Sequence, residues 1–266
     1  MTQTNEIKSE IKMPINEFIS TGIERLDTLL EGGILKGFTT LILGSPGSSI
    51  EILSKQLATT ENVLYITTEE GKDEVEETMN RFGWDSSKID FVDIASIYSQ
   101  SILRGERKRV SIYERRSKLK LKELIKEGSA GTPAQSKDKE DFLAIISNKI
   151  NTTNSEKIIL NSLDFFLGRY PHEDVLRTLH AAKVDNVIKK GALFIIMTKG
   201  IYGEVFEKKM ERISDCVIEL EVIQKGSTFE RFLAVTKVRN YAKKIGMARY
   251  VIDSDGFVLE TIERII

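Results

Sequence analysis

Nineteen residues, TTLILGSPGSSIEILSKQL from Thr39 to Leu57, constrain the fold more than any other part of the chain. An apolar run ends in Gly44-Ser45-Pro46-Gly47-Ser48-Ser49, a stretch whose composition favours a turn over either regular period. Ile50, Leu53 and Leu57 then recur at helical spacing. Strand, tight turn and helix in this order form a unit which, repeated along a chain, builds a mostly parallel sheet with helices on its faces.

The same frame underlies the phosphate-cradling pattern G-x-x-x-x-G-K-[ST], in which loop N–H groups surround phosphate and a lysine offsets its charge. Gly44, Pro46 and Gly47 stand where that pattern wants them. The next three positions depart from it: Ser49 replaces the second glycine, Ile50 the lysine, and Glu51 the Ser/Thr that holds magnesium. Isoleucine cannot offset phosphate charge. A carboxylate about 5 Å from a phosphate oxygen repels it by roughly 3 kcal/mol at an effective dielectric near 20. Ser48-x-x-Glu51 also spells a capping box, which would let the helix satisfy its own first N–H groups. The residues alone therefore favour an ordinary capped turn ahead of a core helix.

At 266 residues the chain can bury a sizeable core. Lys+Arg (39) nearly balance Asp+Glu (40), so net charge points to no partner class. The single Cys216 excludes an internal disulfide and suits a reducing compartment. His172 and His180 with one cysteine make no metal-ligand spacing, so no metal is expected. No run is long enough to span a bilayer, and the chain reads as cytoplasmic. Residues 1–17 read as a polar leader and 18–266 as a single domain.

Ahead of the central strand lies STGIERLDTLLEGGILKG, Ser20 to Gly37, with Ile23, Leu26, Leu29 and Leu30 on one helical face and a Gly32-Gly33 stop. This run resembles the TGI-x-x-LD-x-LL-x-GG-x-x-x-G entry of the KaiC/RadA-like branch of RecA-type ATPases. The resemblance implies a RecA-like P-loop α/β fold: a mostly parallel twisted sheet flanked by helices, with antiparallel strands at its C-terminal end. It also implies roles for further residues. The strand VLYITTEEG, Val63 to Gly71, ends in Glu69-Glu70, which match a Glu pair of the family, one member of which polarises the attacking water. The alternative is that Thr68 caps a helix with an acidic first turn. KIILNS places Asn161 where the family has a magnesium-holding Asp; Asp164 follows three residues on, at an angle that disfavours substitution. Thr198, ending ALFIIMT, loosely matches a polar sensor position.

Residues 96–140 read as an insertion containing a basic helix. From Arg104 to Glu127 there are ten Lys/Arg and four Asp/Glu, with a partial stripe of Leu119, Leu121, Leu124 and Ile125. Only Tyr98 and Tyr113 lie nearby, so no stacking platform for bases is evident. The last third reads as a β-meander with turns at Lys225-Gly226-Ser227 and Asp255-Gly256. Its TKVRN resembles a K-x-R element whose Lys237 and Arg239 would reach a neighbouring subunit's nucleotide. Otherwise they are two exposed strand charges.

Three nucleotide-site positions thus lose their chemistry in the same direction. The expectation is a KaiC-like pseudo-ATPase acting as an assembly, regulatory or signalling module. Its degenerate nucleotide site would comprise Gly44, Ser45, Pro46, Gly47, Ser48, Ser49, Ile50, Glu51 and Asn161, with Glu69 and Glu70 as vestigial catalytic candidates and Lys237 and Arg239 as trans-acting ones. No cofactor is expected, weak ATP binding being the alternative. A homo-oligomer, ring or dimer, and a protein partner are expected, with nucleic acid least favoured. A divergent ATP-dependent switch and a nucleic-acid-binding paralogue are the alternative functions.

Overall fold

The computed structural model describes residues 17–117, 140–240 and 246–263. Strand β3 (Thr39–Gly44) is buried along its whole length and sits near the middle of a nine-stranded mixed sheet. On one side it pairs in parallel with β7 (Ala192–Thr198), followed outward by β6 (Lys157–Asn161), β4 (Val63–Thr67) and the edge strand β5 (Ile89–Asp93). On the other side it pairs in parallel with β8 (Cys216–Lys225). Three antiparallel strands complete the sheet: β9 (Thr228–Val238), β10 (Gly246–Asp253) and β11 (Gly256–Glu263). The RecA-like architecture of parallel strands with an antiparallel C-terminal extension is the one observed.

Period-two alternation assigns the side chains of the central strands to two cores. Ile42, Val63, Tyr65, Ile159, Phe194 and Ile196 face one side, with α1 (Glu24–Leu29), α2 (Ile50–Leu57) and α3 (Lys72–Arg81). Leu41, Leu43, Leu64, Ile66, Leu160 and Ile195 face the other, with α5 (Phe142–Thr152), α6 (Asp164–Leu167), α7 (His172–Lys189), α8 (Glu204–Ile213) and the start of α4 (Ile94–Ser117). The Gly33 stop is sterically required: its φ is 109°, and a Cβ there would sit 2.5 Å from the Ile19 carbonyl oxygen. That carbonyl belongs to the small antiparallel pair β1 (Phe18–Ile19) and β2 (Ile34–Leu35) that brackets α1.

The basic segment begins as a direct continuation of β5, since α4 runs unbroken from Ile94 to Ser117. Leu119, Leu121, Leu124, Ile125 and the loop from Gly128 to Lys139 lie outside the described residues, as does the leader before Glu17. No described helix is long and apolar enough to cross a membrane.

Candidate nucleotide-site remnant

The glycine-proline loop leaves the C-terminal end of β3, where ligands of parallel α/β sheets bind. Its conformation is set from three directions. The Ser45 N–H continues the β3–β8 ladder by donating to Leu220 O at 2.9 Å, and the Ser48 N–H closes a turn onto Ser45 O at 3.0 Å. Arg231 Nε donates to Gly47 O at 3.2 Å, and the Tyr250 hydroxyl donates to Ser48 O at 2.6 Å. Burial pushes the Tyr250 phenol upward, which keeps it a donor there. Two N–H groups of the loop are thereby engaged by its own fold.

The capping box does not form. Helix α2 begins at Ile50, preceded by Ser49 in the left-handed region (φ 57°, ψ 36°), and no side chain caps it. The reversal at Ser49 turns Ser48 inward, so its buried hydroxyl lies among protein atoms without a hydrogen-bond partner. Gly44 shows how closely the loop has folded on itself: a Cβ there would lie 2.7 Å from Ile50 Cδ1 and 2.8 Å from Ser48 Oγ. The side chain at the lysine position is thus an apolar plug over the first glycine. Glu51 is exposed in the first helical turn.

Beneath the loop lies a polar network that helical periodicity does not reveal. Lys55 is fully buried, although spacing sets it opposite the Leu53–Leu57 face. Its Nζ lies 2.5 Å from Glu70 Oε2 and 3.4 Å from Glu51 O. Ser54 Oγ lies 2.9 Å from the buried Tyr65 hydroxyl, which also accepts from Asn161 Nδ2 at 2.9 Å. The residue at the magnesium-aspartate position is therefore a neutral amide pointed at a phenol, whose own ionisation burial opposes.

Glu69 and Glu70 diverge. Glu69 Oε1 accepts from Ser162 Oγ at 2.8 Å and borders a 360 Å³ cleft with Thr68, Tyr98, Asp164 and Arg169, whereas Glu70 turns to Lys55. Thr68 caps no helix: it exchanges bonds with the backbone of Ser162, accepting at 2.7 Å and donating at 3.1 Å. Helix α3 starts instead at Lys72, with Glu74 accepting from the Gly71 N–H at 2.9 Å. Asp164 is engaged by Thr198, accepting from its hydroxyl at 2.7 Å and its N–H at 3.0 Å. The Tyr202 hydroxyl donates to Asp164 O, and burial followed by the Asp164 charge pushes that phenol up to about 12.

Lys237 and Arg239 lie at the other end of the sheet from the loop, beside the start of β3. Lys237 Nζ donates to Glu211 O at 2.6 Å and Ser214 O at 2.7 Å, closing the C-terminus of α8 as a cation suits a helix end. Burial, then the Arg239 charge, lowers its pKa. Arg239 pairs at 2.8 Å with buried Asp215, which also holds Lys183 at 2.8 Å and the Thr39 N–H at 3.0 Å. Within one chain, then, the basic pair is anchored to Asp215 and α8, away from Glu51 and the loop. His172 and His180 are exposed, and among the described residues no cluster of metal-ligating side chains forms.

A mostly parallel sheet with antiparallel C-terminal strands and a glycine-proline loop at the mouth of its central strand is the RecA-type P-loop arrangement. The family follows from the whole length: residues 19–263 match the KaiC ATPase family, and the chain belongs to it. It is similar to the circadian clock oscillator protein KaiC of Prochlorococcus marinus, 22% identical over 96% of this chain and 47% of that one. A UPF0273 protein of Pyrococcus furiosus is 35% identical over 77 residues, 27% of this chain and 31% of that one. The crystal structure of a KaiC-like protein from Pyrococcus horikoshii superposes with a TM-score of 0.65 at 18% identity, covering 92% of this chain and 99% of that one. The chain spans less than half the length of the two curated relatives.

The family name implies ATP, and the residues present do not fit it in the usual way. Ile50 fills the space over Gly44, Glu51 brings a negative charge to the first turn, and Asn161 is engaged by Tyr65.

Proposed function

We propose that this protein is a non-catalytic KaiC-family subunit, a pseudo-ATPase that serves as an assembly, regulatory or signalling module. The observation that carries this is the Ile50 side chain packed over Gly44, which puts an apolar group where the pattern's lysine would stand. Glu51 and the Asn161–Tyr65 pairing act in the same direction, against the charge balance of Mg-ATP. The module is a single domain, and it self-associates without nucleotide. Arg239, whose side chain remains 47% exposed beside Asp215, is the cation through which the old trans-acting edge meets Glu51 of a neighbouring copy. One observation favours the alternative of a divergent ATP switch: Glu69 keeps an oriented carboxylate at a cleft on the C-terminal ends of β4 and β6.

Calorimetric titration with Mg-ATP, a phosphate-release assay and sedimentation without nucleotide test the proposal together. No saturable heat below millimolar ATP, no turnover, and an oligomer weakened by Glu51→Lys are the expected results. Ile50→Lys alone leaves activity absent, because Ser49, Glu51 and Asn161 remain. Micromolar affinity with turnover that vanishes in Glu69→Gln would promote the switch instead, and a monomer at high concentration would remove the assembly role.

A further inference from the structure

We infer that the Lys55 ammonium is a latent oxyanion site, occupied in this protein by its own Glu70 carboxylate. The inference rests on the pseudo-ATPase reading only for its meaning, since the geometry stands apart from nucleotide. Lys55 is 0% exposed, so its charge is withdrawn from water and must be offset locally. Its close partner is Glu70 Oε2 at 2.5 Å; the Glu51 carbonyl at 3.4 Å is a long, weak acceptor. Glu70 approaches from the other side of the boundary. Its side chain is 36% exposed, and that same Oε2 is a buried atom with no hydrogen bond beyond the ion pair.

The two halves are held independently. Lys55 rides on α2 between Ser54 and Leu57, which are both buried. Glu70 sits on the turn after β4, where the Thr67 hydroxyl donates to its carbonyl at 2.5 Å. Removing the carboxylate therefore leaves the ammonium in place and opens a space the size of a carboxyl group that reaches the surface. Beside it are the Glu51 carbonyl and the Tyr65 hydroxyl, which the Glu70 charge reaches and which is itself hydrogen-bonded to Ser54 and Asn161. A small oxyanion, carboxylate or phosphate, matches that space in charge and in acceptor geometry. Within a fold whose phosphate loop has lost its lysine, the chain carries an internal anion on a different lysine, about one and a half turns further along α2.

The test is chemical rescue. Glu70→Ala is expected to lower the Tm. Sodium formate, acetate or phosphate is then expected to restore it relative to sodium chloride at equal ionic strength. At twenty times the dissociation constant the rescue is about a twentyfold change in the unfolding equilibrium. Wild type, whose site is filled, and Lys55→Met/Glu70→Ala, which has no cation, should show no anion-specific response. If the single variant does not fold in chloride, refolding yield in formate against chloride is the readout. Equal behaviour of the single and double variants, or failure of all three anions to act on Glu70→Ala, would overturn the site. A preference for phosphate over formate would identify the phosphate class. ATP turnover in wild type would sink the proposed function and leave this result untouched, so the two failures are distinguishable.

Discussion

Lys157 offers the sharpest link between a buried charge and a measurable stability. It begins β6 on the same face as α2, is 1% exposed, and donates from Nζ to Leu57 O at 2.8 Å. Burial pushes its pKa down to about 7, against the ordinary 10.5, with Asp27 opposing weakly. Above pH 7 the folded protein holds this amine neutral, while the unfolded chain keeps it protonated up to about pH 10.5. The unfolded state binds the extra proton across that window, so stability is lost as pH falls from 10.5 towards 7. At about 1.4 kcal/mol per pH unit the whole gap amounts to about 5 kcal/mol. Replacing Lys157 by Met removes that penalty but also the bond to Leu57 O, worth about 1 kcal/mol, and leaves that carbonyl to be satisfied otherwise at about 1–3 kcal/mol. Lys157→Met should therefore be more stable than wild type at pH 7, by about 1–3 kcal/mol. The difference should close or reverse by pH 9.5, because wild type gains about 2–3 kcal/mol between pH 7.5 and 9.5 that the variant does not. Urea unfolding of both proteins at pH 7.0, 8.0 and 9.5 and constant salt, followed by Trp84 fluorescence, measures the difference directly. Parallel pH profiles, agreeing to within about 0.5 kcal/mol after a constant offset, would show that the ammonium is accommodated by the fold and would refute the reasoning.

Two further outcomes follow from the charged groups at the ends of the sheet. Asp215→Asn keeps the shape but removes the anion shared by Lys183, Arg239 and the Thr39 N–H, and should cost about 3–5 kcal/mol in urea unfolding at neutral pH. A loss below 1 kcal/mol would mean the cluster behaves as exposed surface. The basic α4 should bind duplex DNA no tighter than non-specifically. A sub-micromolar complex with a salt slope of about −0.9 per neutralised phosphate, abolished by neutralising Arg107, Lys108 and Arg109, would show a nucleic-acid surface instead.

Much of the architecture was legible in the chain because it follows from local periodicity. The contiguous apolar runs Thr39–Leu43, Val63–Ile66 and Ala192–Met197 read as strands, and they form strands buried along these stretches. Ile23, Leu26, Leu29 and Leu30 read as one helical face, and all four are buried. The glycine turns at Gly226 and Gly256 read as meander corners, and both have positive φ. Substitutions within a motif were equally legible, since Ile50, Glu51 and Asn161 each declare a change of charge without any coordinates. What the loop does with them was decided only by tertiary structure. The left-handed Ser49 voids the capping box that Ser48 and Glu51 spell, because a cap depends on backbone direction as well as residue type. Lys55 reads as a solvent-facing helix position until β4 and its following turn bring Glu70 against it. Lys237 reads as an exposed strand charge until α8 ends beside it and offers its last carbonyls. In each case the partner is distant in sequence, and electrostatic pairing depends on separation in space; no spacing along the chain encodes it.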